Sequence, residues 1–196
     1  MFQFQLKKKL KKVMLHTCLI LSVSLIGCEI TPHSYATSQK TIQNQTDFVF
    51  SKEQHDPSEA LIKLMNSAKT SLDIAIFSIT KYDIVDAIVT AKKRGVKVRV
   101  ITDKKESQNN YQNKELKYMK KFGIPILVNS HPGLMHLKVS IVDNKVVTTG
   151  SYDYSQAAST TNDEVLVILH DSDSAKKFTS KFDRMWFDKE NFTKFN

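Results

Sequence analysis

Residues 135–164 constrain the fold more than any other stretch, because their pattern predicts two strands joined by a tight turn. Apolar residues at positions 137, 139 and 141 alternate with polar ones, as is typical of a half-buried strand. Side chains two apart on a strand share a face, so His136 and Lys138 should project together. We therefore predict a nucleophile candidate and a cation side by side on one strand.

The turn after this strand is predicted at residues 143–145, which read Asp-Asn-Lys. Asn tolerates the left-handed backbone angles that a tight hairpin needs. The returning strand covers residues 146–149 and ends in a sharp Gly150-Ser151 pair. This arrangement places a hydroxyl group at the end of the second strand of the hairpin.

The polar residues of this stretch follow the order H-x-K-x-x-x-x-D, then a Gly-Ser turn and a downstream acid. They are His136, Lys138, Asp143, Gly150, Ser151 and Glu164. The stretch resembles the signature of the phospholipase D superfamily, although Asp153 stands where that family usually has Asn. The resemblance extends over roughly residues 46–188 and is closest to the superfamily's single-motif nucleases.

The resemblance implies a phosphodiesterase with a distinct role for each of these side chains. His136 would attack phosphorus to form a phosphohistidine, which divides one hard displacement into two easier ones. Lys138 and Ser151, with Asp153 in the same turn, would hold the phosphate where negative charge accumulates. Glu164 would fix the tautomer and orientation of the imidazole. Structural roles fall to the remaining two motif residues, Asp143 and Gly150.

The family chemistry also needs a second His, to protonate the leaving oxygen and then activate water. The chain has one motif, so we expect a homodimer with the active site at its two-fold interface to supply that His. His131 and His136 lack a regular zinc spacing and have no Cys nearby, so we expect no metal. No glycine-rich phosphate loop is present, so no nucleotide cofactor is implied.

The expected substrate is DNA, with a preference for single strands and activity on RNA left open. Alternating Lys97 and Arg99 could follow a phosphate backbone, although a solvated surface explains basic residues equally well. Both explanations apply to two basic runs, which are Lys92, Lys93, Arg94, Lys97, Arg99, Lys104 and Lys105, then Lys114, Lys117, Lys120 and Lys121. The alternatives are a phospholipid-cleaving enzyme and, because of Asp153, a non-catalytic DNA-binding lipoprotein for DNA uptake.

The N-terminal residues 1–27 have the composition of an export signal. Five Lys precede an apolar run from residue 13 to residue 26, which is short for a membrane-spanning helix. The ending Leu-Ile-Gly-Cys resembles a bacterial lipobox, which implies cleavage before Cys28 and attachment of lipid to its sulfur. An uncleaved membrane anchor is the alternative. Either way we expect a membrane-anchored protein of the bacterial cell envelope, facing the periplasm or the exterior.

Cleavage at Cys28 would change the charge of the protein. The formal net charge falls from +9 to +4, since residues 1–27 carry five Lys and no acidic residue. Polar residues 28–45 are predicted to form a lipidated flexible tether, and residues 46–196 the catalytic domain. Cys18 leaves with the signal and Cys28 is lipidated, so the mature chain has no disulfide.

Strands and helices are predicted to alternate through the catalytic domain. Asp56 before Pro57 predicts a helix start, Thr80 and Ser172 are candidate caps, and Gly95 and Gly123 should end helices. Strands are predicted at 48–50, 71–78, 96–101, 124–128 and 165–169, with helices after residues 56, 80, 112 and 172. This order predicts an α/β fold with a mixed, largely parallel sheet and helices on both faces.

Overall fold

The computed structural model describes residues 45–196, whose strands form a single eight-stranded sheet. The strands are β1 (Gln45–Phe50), β2 (Ser71–Ile76), β3 (Lys97–Thr102), β4 (Ile126–Asn129), β5 (Lys138–Val142), β6 (Val146–Gly150), β7 (Val165–His170) and β8 (Phe192–Lys194). The helices are α1 (Pro57–Ser67), α2 (Tyr82–Lys93), α3 (Asn110–Lys121), α4 (Gln156–Thr160) and α5 (Ser172–Phe187).

The order of strands across the sheet is β1-β7-β6-β5-β2-β3-β4-β8. The mixed α/β sheet with helices is as predicted, but the expectation of a largely parallel sheet is wrong. Only β2-β3 and β3-β4 pair in parallel, and the other five pairs are antiparallel. The tight turn between β5 and β6 reverses one strand, and β5, β7 and β8 each run antiparallel to the earlier strand that they pair with, β2, β1 and β4.

Two hydrophobic cores lie on the two faces of the sheet. Helices α1, α2 and α3 pack on one face, and α5 packs on the other. In the central strand β2, Ile74 belongs to the first core and Ala75 to the second. All five residues from Leu72 to Ile76 are buried and four of them are apolar, as is typical of a strand covered on both faces. Helix α5 contributes Phe182 and Met185, which are both buried, to the second core.

The helix boundaries confirm some of the predicted caps and correct others. Asp56 caps α1 by accepting from the backbone N–H of Ser58 at 2.8 Å. Gly95 and Gly123 follow α2 and α3 with positive φ angles, as predicted. Thr80 does not cap α2, because its backbone N–H donates to the carbonyl oxygen of Tyr154 and the helix begins two residues later.

The cap of α5 is Asp171, not Ser172. Its carboxylate accepts from the backbone N–H groups of Asp173 and Ser174 at 3.2 and 2.8 Å. Two short elements, α4 and β8, have no counterpart among the predictions. Among residues 45–196 no helix is both long and apolar enough to cross a membrane. The predicted signal peptide, Cys28 and nearly all of the predicted tether lie outside these residues.

Candidate active site

The predicted hairpin is formed by β5 and β6. Its turn is closed by the backbone N–H of Lys145, which donates to the carbonyl oxygen of Val142 at 2.9 Å. Asp143 and Asn144 have φ angles of 52° and 55°, the left-handed conformation that tight hairpin turns use. The turn lies at the opposite end of β5 from His136, so the residues of the motif divide into two groups.

His136 and Lys138 lie side by side, as the two-residue spacing predicted. The Lys138 Nζ atom is 3.2 Å from the His136 Nε2 atom. His136 precedes β5 instead of lying within it, but the carbonyl oxygen of Leu137 accepts from the backbone N–H of Phe77 at 2.9 Å and continues the strand pairing. The Phe77 ring packs against the imidazole with 4.6 Å between ring centroids. The imidazole is thus exposed to solvent on one side and supported on the other.

Lys138 is buried, with 8% of its surface exposed. Its ammonium group lies 3.3 Å from Asp153 Oδ1 and 4.8 Å from the centre of the Phe77 ring. A buried charge needs such partners, because it has left water for a medium of low dielectric constant. Three neighbours therefore fix the position of the ammonium group: an imidazole, a carboxylate and an aromatic face.

Asp153 occupies the position where the superfamily usually has Asn, and its carboxylate is an acceptor for two groups. It pairs with Lys138, and its Oδ1 atom accepts from the backbone N–H of Ser78 at 3.1 Å. Burial raises the pKa of Asp153 above its ordinary value, although Lys138, Ser78 and His136 lower it in part. When ionised, Asp153 offsets the charge of Lys138, so the cluster before substrate arrives is close to neutral.

Ser151 and Gly150 end β6 at the same end of the sheet. The Ser151 Oγ atom accepts from the backbone N–H of Val165 at 3.2 Å and remains exposed. Gly150 has a φ angle of 129°, and a Cβ atom there would overlap the carbonyl oxygen of Val165. Only glycine fits this close approach of β6 to β7, which explains the structural role predicted for it.

Glu164 and His136 are not brought together within one chain. The Glu164 side chain accepts from Asn162 at 3.2 Å, and the backbone N–H of Glu164 donates to Ser51 Oγ at 2.8 Å. Glu164 and Ser151 line one shallow surface depression, whereas His136 lines a different groove. The role of Glu164 in orienting an imidazole therefore stays a prediction.

Asp143 holds the hairpin turn against the start of β2. Its carboxylate accepts from the backbone N–H groups of Lys69, Thr70 and Ser71 and from the Thr70 hydroxyl, at 2.7 to 3.2 Å. Burial alone would raise the pKa of Asp143, but these hydrogen bonds lower it below its ordinary value overall. This arrangement agrees with the structural role predicted for Asp143.

Two buried polar residues that the sequence did not single out shape the loop before His136. The Asp103 carboxylate accepts from the backbone N–H of Met135 at 2.9 Å, one residue before His136. The Asn129 side chain donates to the carbonyl oxygen of Gly133 at 3.1 Å and accepts from the backbone N–H of Lys104. The only sequence feature that could have identified them is their position, because each is a polar residue at the end of a predicted strand, where the loops around a site begin.

The proposed phosphate-tracking role of Arg99 is wrong. Its guanidinium donates two hydrogen bonds to Asp73 and one to Asp183, at 2.7 to 2.8 Å. It also lies over the Phe182 and Trp186 rings, so it joins β3 to α5 inside the fold. Residues 45–196 contain no group of three or more His, Cys, Asp and Glu side chains placed to hold a metal ion.

Comparison with known proteins agrees with this geometry. The family model described as "Cardiolipin synthase, PLD-like domain" matches residues 61–186. The chain is similar to mitochondrial cardiolipin hydrolase of Homo sapiens, with 32% identity over 126 residues that cover 64% of this chain and 49% of the relative. It is also similar to phospholipase D of Rickettsia conorii, with 29% identity over 58% of this chain and 56% of the relative. The chain thus spans about half the length of these relatives.

Solved structures extend the likeness to the whole of the described fold. NucT from Helicobacter pylori superposes with a TM-score of 0.71 at 31% identity, covering 77% of this chain and 99% of that one. Nuc, a phospholipase D family member from Salmonella typhimurium, gives a TM-score of 0.70 at 28% identity, covering 78% and 99%. With its paired His136 and Lys138, the chain belongs to the phospholipase D superfamily.

Proposed function

We propose that the protein is an endonuclease that cleaves DNA without a metal ion, through a phosphohistidine intermediate. The observation that carries the proposal is the distance of 3.2 Å between Lys138 Nζ and His136 Nε2. An ammonium group only donates hydrogen bonds, so this contact makes Nε2 the acceptor and leaves the proton of a neutral ring on Nδ1. The nucleophilic lone pair is then on the nitrogen that faces the cation.

Arrival of a phosphodiester gives Lys138 an anionic partner and releases the Nε2 lone pair. Nε2 then attacks phosphorus, the P–N bond forms, and the bond to the leaving oxygen breaks as that oxygen gains a proton. Lys138 and the exposed Ser151 hydroxyl stabilise the charge that gathers on the phosphoryl oxygens. Water attacks in the second step, breaks the P–N bond and restores the imidazole.

The proton for the leaving oxygen is proposed to come from His136 of a second copy in a homodimer. Two observations support this proposal. Among residues 45–196 the Glu164 carboxylate accepts no hydrogen bond from an imidazole, which leaves it available to one from the other copy. In addition, the edge strand β1 exposes two large apolar side chains, Phe48 at 62% and Phe50 at 46%, and Phe50 lines the same surface depression as Glu164. Sedimentation, with specific activity measured over a dilution series, should show activity falling as the dimer dissociates.

A phospholipid-cleaving activity is the second candidate, supported by the relatives' names and by exposed Leu134 and Leu137 on either side of the nucleophile. The purified protein should therefore be incubated with single- and double-stranded DNA, RNA and phospholipid vesicles in chelator, with His136→Ala as the control. Release of oligonucleotide fragments supports the endonuclease, and release of phosphatidate or a free headgroup supports the phospholipase. Binding to DNA without any cleavage supports the non-catalytic DNA-binding lipoprotein.

Attachment to the bacterial cell envelope through a lipid on Cys28 is part of the same proposal. The sequence Leu-Ile-Gly-Cys supports it. Labelling cells with a fatty-acid analogue should mark the wild-type protein, and Cys28→Ala should abolish the label. Labelling that persists in the variant would argue against this attachment site.

A further inference from the structure

A groove of about 730 Å³ runs from His136 towards the C-terminal half of α5. One wall is the loop before β5, and the other is α5 with the turn that follows it. Met135, Met185 and Phe192 form an apolar floor, and Lys181 and Arg184 form a basic wall. The groove is thus continuous with the nucleophile and is charged on one side.

Lys181 and Arg184 are exposed, and neither forms an ion pair with another residue of the range 45–196. They lie three positions apart on α5, so their Cβ atoms are about 5–6 Å apart on one helix face. Asp183, the acid nearest in sequence, pairs with Arg99. Asp188 also lines the groove, and it accepts from the side chain of Asn191 at 2.8 Å and from two backbone N–H groups. Lys181 and Arg184 outnumber this one carboxylate, so the groove keeps a net positive charge for an anion.

We infer that Lys181 and Arg184 form a second phosphate subsite, which binds the phosphate next to the scissile one on a nucleic-acid strand. This inference rests on the proposed nuclease function and names the part of the substrate that the groove holds. The near-neutral pair of Lys138 and Asp153 attracts a phosphate weakly, so affinity for a polyanion must come from neighbouring charges. The groove supplies them beside the nucleophile.

Charge complementarity favours a nucleic-acid strand as the occupant. A lipid with one phosphate would place that anion at His136 and Lys138, and the basic wall of the groove would then face neutral or apolar groups. A strand has a phosphate at every nucleotide, so it gives both positions an anion at once. The apolar floor can meanwhile contact a base or sugar.

The test compares a thymidine dinucleotide, which has one phosphodiester, with a trinucleotide, which has two. In the full-length protein, the second phosphate should raise kcat/KM. In Lys181→Ala/Arg184→Ala this gain should shrink by about tenfold, the effect of losing two partly exposed charge contacts. The matched control is Lys69→Ala/Lys145→Ala, which removes two exposed charges at the hairpin-turn end of β5, opposite His136, and should keep the gain. An equal gain in both double variants would overturn the inference.

A binding measurement separates this inference from the proposed function. In a His136→Ala background, single-strand binding is followed against salt concentration, without any need for cleavage. Loss of the contact to one phosphate should lower the slope of log K against log salt by about 0.7, whereas the control Lys69→Ala/Lys145→Ala should leave it unchanged. If no variant cleaves DNA but the slope still falls, the proposed nuclease function fails and the subsite stands. An unchanged slope would reject the subsite.

Lipid substrates provide the remaining arm of the test. Vesicles containing cardiolipin, which has two phosphates, are compared with vesicles containing phosphatidylglycerol, which has one. If Lys181→Ala/Arg184→Ala loses cardiolipin cleavage selectively and keeps the gain with the trinucleotide, the groove holds a lipid and the assignment to a strand is wrong.

Discussion

Replacing Asp153 by Asn tests how charge is balanced at the candidate active site. The Lys138 Nζ and Asp153 Oδ1 atoms are 3.3 Å apart, and unit charges at that distance attract by about 5 kcal/mol at an effective dielectric constant of about 20. A phosphate bound by Lys138 at about 4 Å from the same carboxylate would be repelled by about 4 kcal/mol. The carboxylate therefore cancels most of the attraction that Lys138 offers to substrate.

Asp153→Asn should remove that repulsion and leave the charge of Lys138 free for the phosphate. Water at this partly exposed site reduces the gain, so we expect about 1.5–3 kcal/mol, equivalent to a KM lower by about 10- to 100-fold. The assay is steady-state cleavage of an oligonucleotide at neutral pH, with a small aryl phosphodiester in parallel. The midpoint of thermal unfolding serves as the control for folding.

The effect of Asp153→Asn on kcat/KM should depend on pH in a defined direction. Burial raises the pKa of Asp153, so the carboxylate gains its proton before an ordinary Asp does as the pH falls. Once it is protonated, the wild-type site has the same charge as the Asn variant. The ratio of kcat/KM for Asp153→Asn to that for wild type should therefore be largest above this pKa and fall towards one below it.

One result would refute this reasoning. If Asp153→Asn is folded but inactive at every pH, the carboxylate has a catalytic role of its own, and the charge balance described above is not its function. The alternative role is orientation of the His136 imidazole, because His136 and Asp153 both contact Lys138. The role assigned to Glu164 would then need revision.

The other predictions concern the motif residues and the absence of a metal requirement. His136→Ala should abolish cleavage with little change in stability, because the side chain is exposed, and full activity would remove the nucleophile assignment. Lys138→Ala should cost more than the roughly 3–4 kcal/mol typical of one oxyanion donor, and a rate loss below about tenfold would place Lys138 away from the phosphate. Asp143→Ala should lower the free energy of unfolding by about 2–4 kcal/mol, measured in urea. Because the pKa of Asp143 is lowered, its wild-type contribution should be lost as the pH falls through that pKa. DNA cleavage should persist in chelator, and recovery only with a divalent ion would favour a metal-assisted mechanism.

Local patterns predicted the parts of the site that depend on neighbours in sequence. The contact between His136 and Lys138 follows from the two-residue period of an extended chain, and the hairpin turn follows from the residue types at 143–145. In each case the partner lies within a few residues, so the sequence contains the whole interaction.

Contacts between distant parts of the chain could not be predicted in this way. Asp103 reaches Met135 across 32 positions, and Arg99 reaches Asp183 across 84. In sequence, Arg99 is one basic residue in a run of basic residues, and only the packing of α5 on the sheet shows that it is paired inside the fold. Side-chain pairing across the sheet depends on strand order, which local periodicity does not determine.

The sequence shows that Asp153 is unusual, but the contacts of its carboxylate involve residues distant in sequence and could not be predicted. Sequence comparison shows a carboxylate in place of an amide, but not whether it faces the phosphate or a cation. In the structure the Asp153 carboxylate pairs with Lys138 and accepts from the backbone N–H of Ser78, so its negative charge is balanced within the cluster. In the proposed nuclease, Asp153 nearly neutralises Lys138, so a polyanionic strand must be attracted by other charges. Lys181 and Arg184, exposed in the groove beside His136, are placed to provide that attraction.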